Sequence, residues 1–300
     1  NYEVEGQFVK GNEIANYSDE IFTVYPSAFL TYNPSEKNQF QLSYSRRVDR
    51  PSIGQVNPIR EWSTPQITSV GNPNLKPQFT NSYEFNFTNQ FKKGSFTVGT
   101  FYRRVNDAIN RVLNVDPLDE NKVEMSFSNT DSNDRYGFEF STNYRLAKWW
   151  RANASLDLYT QKESGIANGN QLEVTNNSLN FRVSNSFKAS KNLRFQLFTL
   201  YRGGGESIQF KVDPMWMMNV GASLTVLKGK GSLNFRVNDI FEGMKFKFES
   251  ENPYPQQGQF NWESRTAYVG FMYRFGGGKN KAKARKNRDN NEVQNSGGFF

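Results

Sequence analysis

Apolar and polar residues alternate with a period of two along most of the chain, and that rhythm predicts β-strands. From Phe79 to Phe91 the odd positions read Phe79, Asn81, Tyr83, Phe85, Phe87, Asn89 and Phe91. The even positions read Thr80, Ser82, Glu84, Asn86, Thr88 and Gln90. Tyr136, Phe138, Phe140, Thr142 and Tyr144 alternate with Gly137, Glu139, Ser141, Asn143 and Arg145, and Leu179, Phe181, Val183, Asn185 and Phe187 with Asn180, Arg182, Ser184 and Ser186. Weaker versions run through Phe40–Tyr44, Trp216–Val226, Leu233–Val237 and Ala267–Phe275. Successive strand side chains point to opposite faces, so each segment has one ring-rich face and one wet face.

The connections alternate short and long. Short ones fall at Asn33–Lys37, Lys92–Gly94, Leu146–Lys148, Lys188–Lys191 and Lys228–Lys230. Long ones are expected at 49–78, 114–122, 162–173, 203–214 and 241–261. This places every tight turn at one end of an up-and-down sheet of about twelve strands, several of them as long as the 9–11 residues that cross a bilayer. A soluble sandwich also alternates. Strand length, the asymmetry of the two ends and the rings beside the short turns (Tyr32, Phe40, Phe91, Phe96, Tyr144, Trp149, Trp150, Phe187, Phe275) favour a membrane barrel with an aromatic girdle.

Composition agrees with this reading. Hydrophobic residues are only 36% of the 300, yet the chain carries 27 Phe and 14 Tyr, so its apolar character is concentrated in rings rather than in a long aliphatic span. No stretch reaches the roughly 18 apolar residues of a transmembrane helix. With no Cys and no His, the chain has no disulfide framework, thiolate metal site or imidazole base. No enzyme activity, cofactor or metal site is expected. Asp116, Asp119 and Glu120, and Glu249 with Glu251, are expected to be solvated loop carboxylates without calcium-loop spacing. The alternation predicts residues 1–275 as the barrel portion. Residues 276–300 read as a flexible basic tail that carries about +4 of the formal +8. Without interleaved rings the tail does not point to nucleic acid.

The strand Tyr268-Val269-Gly270-Phe271-Met272-Tyr273-Arg274-Phe275 resembles the β-signal of bacterial outer-membrane proteins, with Tyr268, Gly270, Phe271, Tyr273 and Phe275 in the signal positions. The resemblance implies recognition by the barrel-assembly insertase. It departs from the usual pattern in that residues follow the final ring. Gly71-Asn72-Pro73-Asn74-Leu75-Lys76-Pro77-Gln78-Phe79, running on to Tyr83-Glu84, is similar to the segment that follows a long extracellular loop in TonB-dependent receptors. Tyr44-Ser45-Arg46-Arg47-Val48-Asp49-Arg50-Pro51 looks like a strand exit of the same receptors. Together these resemble the Bacteroidota-type outer-membrane β-barrel family, relatives of TonB-dependent transporters.

That resemblance implies a location in the bacterial outer membrane, in contact with lipid and lipopolysaccharide. It also implies a barrel of about 22 strands around a plug domain and coupled to the TonB system. The chain opens within a strand and supplies about half of those strands, so it is expected to be the C-terminal barrel portion of a transporter for nutrients or metal chelates. The alternatives are an assembly client or accessory barrel subunit, and a passive porin. Arg60 and Trp62 in the longest loop, and Tyr254 and Trp262 in the last, are the ligand-contact candidates, because rings and Arg dominate recognition surfaces.

Overall fold

A computed structural model describes residues 2–10, 13–167 and 170–275. The tail from 276 onward, expected above to be flexible, lies outside the described residues. The strands are β1 (Tyr2–Lys10), β2 (Glu13–Ile21), β3 (Ser27–Ser35), β4 (Asn38–Asp49), β5 (Glu61–Thr64), β6 (Ile67–Ser69), β7 (Gln78–Phe91), β8 (Gly94–Asp116), β9 (Asp119–Tyr144) and β10 (Trp150–Ala167). They continue as β11 (Asn170–Lys188), β12 (Leu193–Arg202), β13 (Gly205–Glu206), β14 (Lys211–Val212), β15 (Met215–Val226), β16 (Gly231–Val237), β17 (Lys245–Ser250), β18 (Gln256–Asn261) and β19 (Ala267–Tyr273). One short helix, α1 (Ile53–Val56), interrupts them, and among the described residues no helix is long and apolar enough to cross a membrane.

The principal sheet is an antiparallel meander in the order β19-β16-β15-β12-β11-β10-β9-β8-β7-β4-β3. Its connections at one end are short, as expected: Glu36–Lys37, Lys92–Lys93, Arg145–Trp149, Ala189–Asn192 and Leu227–Lys230. Both outermost strands, β3 and β19, are exposed along their whole length. Among the described residues they do not pair with each other, so the wall is open at both edges. β1 and β2 form a separate hairpin.

Two expected loops are corrected. Residues 114–116, 119–122, 162–167 and 170–173 are strand, not loop: β8 and β9 run for 23 and 26 residues and turn tightly at Pro117–Leu118, and β10 and β11 run for 18 and 19. At about 3.4 Å per residue the first hairpin is far longer than a bilayer is thick, so it stands well beyond the wall. Its polar loop-like composition is that of a solvated strand pair whose cross-strand hydrogen bonds, not apolar burial, define it. Tight turns therefore occur at both ends, although they dominate only one.

Elsewhere the far end carries true loop architecture. The β5–β6 hairpin adds to β9 in parallel, with Ile67 opposite Val123 and Ser69 opposite Met125. β13, β14, β17 and β18 form a second small sheet. The buried apolar residues lie mostly in this layer: Val56, Ile59, Leu75, Leu113, Val123, Met215 and Phe246. The wall itself has almost no core. Phe138, Leu158 and Phe271 on its apolar face are 63%, 46% and 60% exposed, which a soluble sandwich would not leave uncovered.

Candidate functional site

Register assigns every wall residue to a face. Phe87 lies opposite Phe40 and Val98, Val98 opposite Phe140, Phe140 opposite Leu156, and Leu156 opposite Phe181. All belong to the ring-rich face read from the alternation. The opposite face carries Gln41, Asn86, Gly99, Glu139 and Asp157 at a single level, a row in which only the glycine lacks a polar side chain. The girdle beside the short turns is present: Phe91 packs on Phe96 and Tyr144 with centroids 6.4 and 5.5 Å apart, and Trp149 and Trp150 pack on Phe187 at 6.3 and 5.8 Å.

A second girdle was not read from the sequence. Tyr44, Tyr83, Tyr102 and Tyr136 lie directly opposite one another on four neighbouring strands, with Tyr44–Tyr83 at 4.9 Å and Tyr83–Tyr102 at 6.3 Å. Each tyrosine sits in a different segment, so only the pairing register aligns them. Between the two girdles β7 spans Tyr83 to Phe91, about the length needed to cross hydrocarbon.

On the polar face Arg103 is a hub. One guanidinium nitrogen donates to Glu84 Oε1 at 2.9 Å and to Glu139 Oε1 at 3.1 Å, while Nε reaches Ser82 Oγ at 3.4 Å. Glu84 therefore points to the wet face, as its even position in the alternation implied. Three rings on this face lie beneath guanidinium groups: Phe101 under Arg103 at 4.2 Å, Tyr159 under Arg135 at 5.9 Å and Tyr268 under Arg236 at 5.0 Å. Stacked cations keep these rings compatible with a water-filled interior.

The segment Gly71–Pro77 fastens the long loop to β9. Asn72 Nδ2 donates to Phe127 O at 3.0 Å, and Asn129 accepts from Lys76 N at 2.8 Å while donating to Lys76 O at 2.9 Å. Gly71 N donates to Asn57 O at 2.7 Å, and a Cβ at Gly71 would sit 2.6 Å from Asn57 backbone atoms, so only glycine fits.

Of the four ligand-contact candidates, three approach the tip of the β8–β9 hairpin. Arg60 binds Glu124 and also Asp116, at 2.5 Å from the latter. Asp116 is therefore not the solvated carboxylate expected from sequence but only 3% exposed. The Leu118 N–H that it accepts, and then Arg60 and its other partners, hold its pKa below the ordinary carboxylate value. Trp62 stands on β5 beside this pair and is 75% exposed. Tyr254 donates its hydroxyl to Glu120 O at 2.5 Å. Trp262 follows β18 and is half-exposed. Asp119 pairs with Lys122 at 3.1 Å.

Sequence reasoning missed Glu163, which is 3% exposed and accepts from Asn110 Nδ2 at 2.7 Å. Burial pushes its pKa up, and nearby Arg135 opposes the shift. It also missed Gln209, whose amide is inserted against Leu113, and Asp239, which accepts from Gly243 N, Met244 N and Ser264 Oγ. Each is one polar residue in a polar loop, and only the partner's position distinguishes it. Among the described residues no group of His, Cys, Asp and Glu is placed to hold a metal.

Comparison with solved structures gives the fold. The siderophore receptor PirA from Pseudomonas aeruginosa superposes with a TM-score of 0.58 at 15% identity, over 87% of this chain and 42% of the receptor. The copper transporter OprC does so at 0.57 and 13%, over 88% and 40%. The FrpB iron transporter from Neisseria meningitidis (F3-3 variant) does so at 0.53 and 14%, over 88% and 40%. The chain thus spans about two fifths of these proteins' length. No curated protein matches its sequence. The model of the outer membrane protein beta-barrel family matches residues 1–273. With its ring-bearing face toward lipid and its amide- and charge-bearing face toward water, the chain is an outer-membrane β-barrel wall and belongs to the outer membrane protein beta-barrel family.

Proposed function

We propose that this chain is the C-terminal barrel portion of a TonB-dependent-receptor-like transporter for a nutrient or metal chelate. The observation that carries the reading is the open wall: among the described residues β3 and β19 are unpaired edges of a sheet whose polar face matches a lumen lining. The remaining strands, a plug domain and the TonB coupling would come from other parts of a longer protein. The similarity to barrels whose names describe iron, siderophore or copper uptake supports the class without choosing the cargo. In this reading Trp62, Tyr254 and Trp262 form part of the outer ligand rim. Arg60 acts there by holding the β5–β6 hairpin against Asp116 and Glu124.

The test is uptake by cells carrying or lacking the full gene, measured over a panel of ferric chelates and copper, with and without functional TonB. Loss of uptake of one cargo in both the gene deletion and the TonB-deficient strain is expected. Uptake of every cargo unchanged by either would refute the reading, and gene-dependent passage that ignores TonB would assign a passive porin.

Assembly is proposed to use β19 as the insertase signal. Tyr268 and Gly270 lie on the wet face and Phe271 and Tyr273 on the lipid face, with the Phe275 ring 4.6 Å from that of Tyr273. An unpaired strand edge is a template for strand addition. Membrane insertion of a Tyr273→Ser/Phe275→Ser variant at the unsubstituted level would contradict this and leave the transport reading intact.

A further inference from the structure

Immediately beyond the row of four tyrosines, one rung farther from the short turns, the lipid-side face carries a row of a different kind. Arg46 lies opposite Asn81, Asn81 opposite Arg104, Arg104 opposite Asp134, and Asp134 opposite Lys162. The row therefore holds three cations against one carboxylate, at the level where hydrocarbon gives way to headgroups. Lys162 is already engaged by Glu173 at 2.9 Å. Asp134 accepts the Tyr102 hydroxyl at 2.6 Å and lies 3.8 Å from Arg104, the long end of an ion pair.

Arg46 is different. Its guanidinium lies over the Phe79 ring at 4.9 Å, and its Nε is buried without a hydrogen-bond partner among the described residues. Asn81 Oδ1 accepts from the Tyr44 hydroxyl at 3.1 Å, which leaves the Asn81 amide nitrogen as a donor between the two arginines. Arg46 and Arg104 are two strands apart, about 10 Å between Cα atoms, a span that two arginine side chains close onto one anion. Rings flank the place below and above, at Tyr83 and Phe79.

We propose that Arg46 and Arg104, with Asn81 between them, bind the phosphate group of a phosphorylated lipid in the outer leaflet. Planar guanidinium groups suit phosphate oxygens and hold them in paired, charge-assisted hydrogen bonds. The flanking rings suit a ligand that continues into acyl chains below and sugar or headgroup above. A free anion would gain nothing from that apolar floor, and a protein partner would have to displace lipid from the Tyr row to reach it. The site rests on the outer-membrane placement of the chain and is independent of the transport proposal.

The test uses the full-length protein, extracted from outer membranes and placed in phosphatidylcholine nanodiscs. Binding of a fluorescent bis-phosphorylated lipid A is compared with that of its dephosphorylated counterpart. The unsubstituted protein is expected to prefer the phosphorylated lipid, and Arg46→Gln/Arg104→Gln to weaken that binding roughly tenfold without changing the dephosphorylated arm. Arg46→Lys/Arg104→Lys should restore part of the loss, and Arg182→Gln on the wet face should have no effect. Heat-modifiable migration reports whether each variant is folded. If the double variant is not, Arg46→Gln and Arg104→Gln are read singly, each with about a threefold loss. Equal binding of the two lipids by the unsubstituted protein, or full binding by the arginine variants, would overturn the proposal. Displacement by inorganic phosphate at concentrations matching the lipid would also overturn it, since the site would then serve a free ion.

Discussion

Above the level where β7 ends, one edge of β8 has lost its strand partner, and two glutamine side chains take its place. Gln78 Oε1 accepts from Ile109 N at 2.8 Å. Gln209, in the turn between β13 and β14, accepts from Leu113 N at 2.8 Å and donates to Leu113 O at 2.9 Å. A single amide thus reproduces the two bonds of a sheet pair with a residue 96 positions away, and fastens the 207–210 turn to the tall hairpin. Gln209→Ala leaves both Leu113 backbone groups without partners at a residue only 4% exposed. A buried group left unsatisfied costs about 1–3 kcal/mol, so two that are partly rescued by water cost about 2–4 kcal/mol. At 1.4 kcal/mol per decade, local opening at Leu113 becomes about 30- to 700-fold more populated. Amide hydrogen exchange of the protein in nanodiscs reads this directly. The Leu113 amide should exchange faster by that factor, while the Ile109 amide, capped by Gln78, should change little. A change at Leu113 of less than about threefold would refute the reasoning.

Three further outcomes follow from the same geometry. Phe87→Arg, at the middle of the lipid-facing band, should cost about 2–4 kcal/mol in urea unfolding from membranes, whereas Asn86→Arg on the wet face should cost less than about 1 kcal/mol; equal costs would mean the faces are misassigned. The Glu163 pKa is raised by burial, so the folded state binds a proton that the unfolded state has lost, and stability falls as pH rises from the ordinary glutamate value through the raised one. Glu163→Gln should therefore raise stability by on the order of 1 kcal/mol at pH 7, with little effect at pH 4; an equal effect at both would contradict it. Arg60→Ala leaves Asp116 and Glu124 facing each other and should release the β5–β6 hairpin, seen as roughly tenfold faster proteolysis within residues 61–69. Acidification through the lowered Asp116 value should release it in the unsubstituted protein too, since a depressed pKa stabilises only above it.

The wall was legible because its information is periodic. Phe85 against Glu84, or Phe181 against Arg182, states a face without reference to any other strand, and Gly71–Pro77 states a turn by its own backbone chemistry. What the sequence concealed is relational. The strand ends at 114–116, 119–122, 162–167 and 170–173 look like loops because solvated strands need no apolar alternation once backbone pairing is complete. The tyrosine row exists only after four registers are set. Asp116 looks like any acidic loop residue until Arg60, 56 positions earlier, is brought against it. The candidate site was read only in part for the same reason: Arg60, Trp62, Tyr254 and Trp262 were chosen by residue type, and only the fold brings Arg60, Trp62 and Tyr254 to one hairpin.

The central claim is that the odd positions of β7 face lipid and the even ones face water. Because the chain has no cysteine, single cysteines at positions 83 to 90 can each carry a nitroxide without background, and collision with oxygen and with a water-soluble nickel chelate can be measured in a bilayer. The account predicts a period of two, with oxygen access high at 83, 85 and 87 and nickel access high at 84, 86 and 88. Uniform protection from both reagents, or the opposite phase, would contradict it.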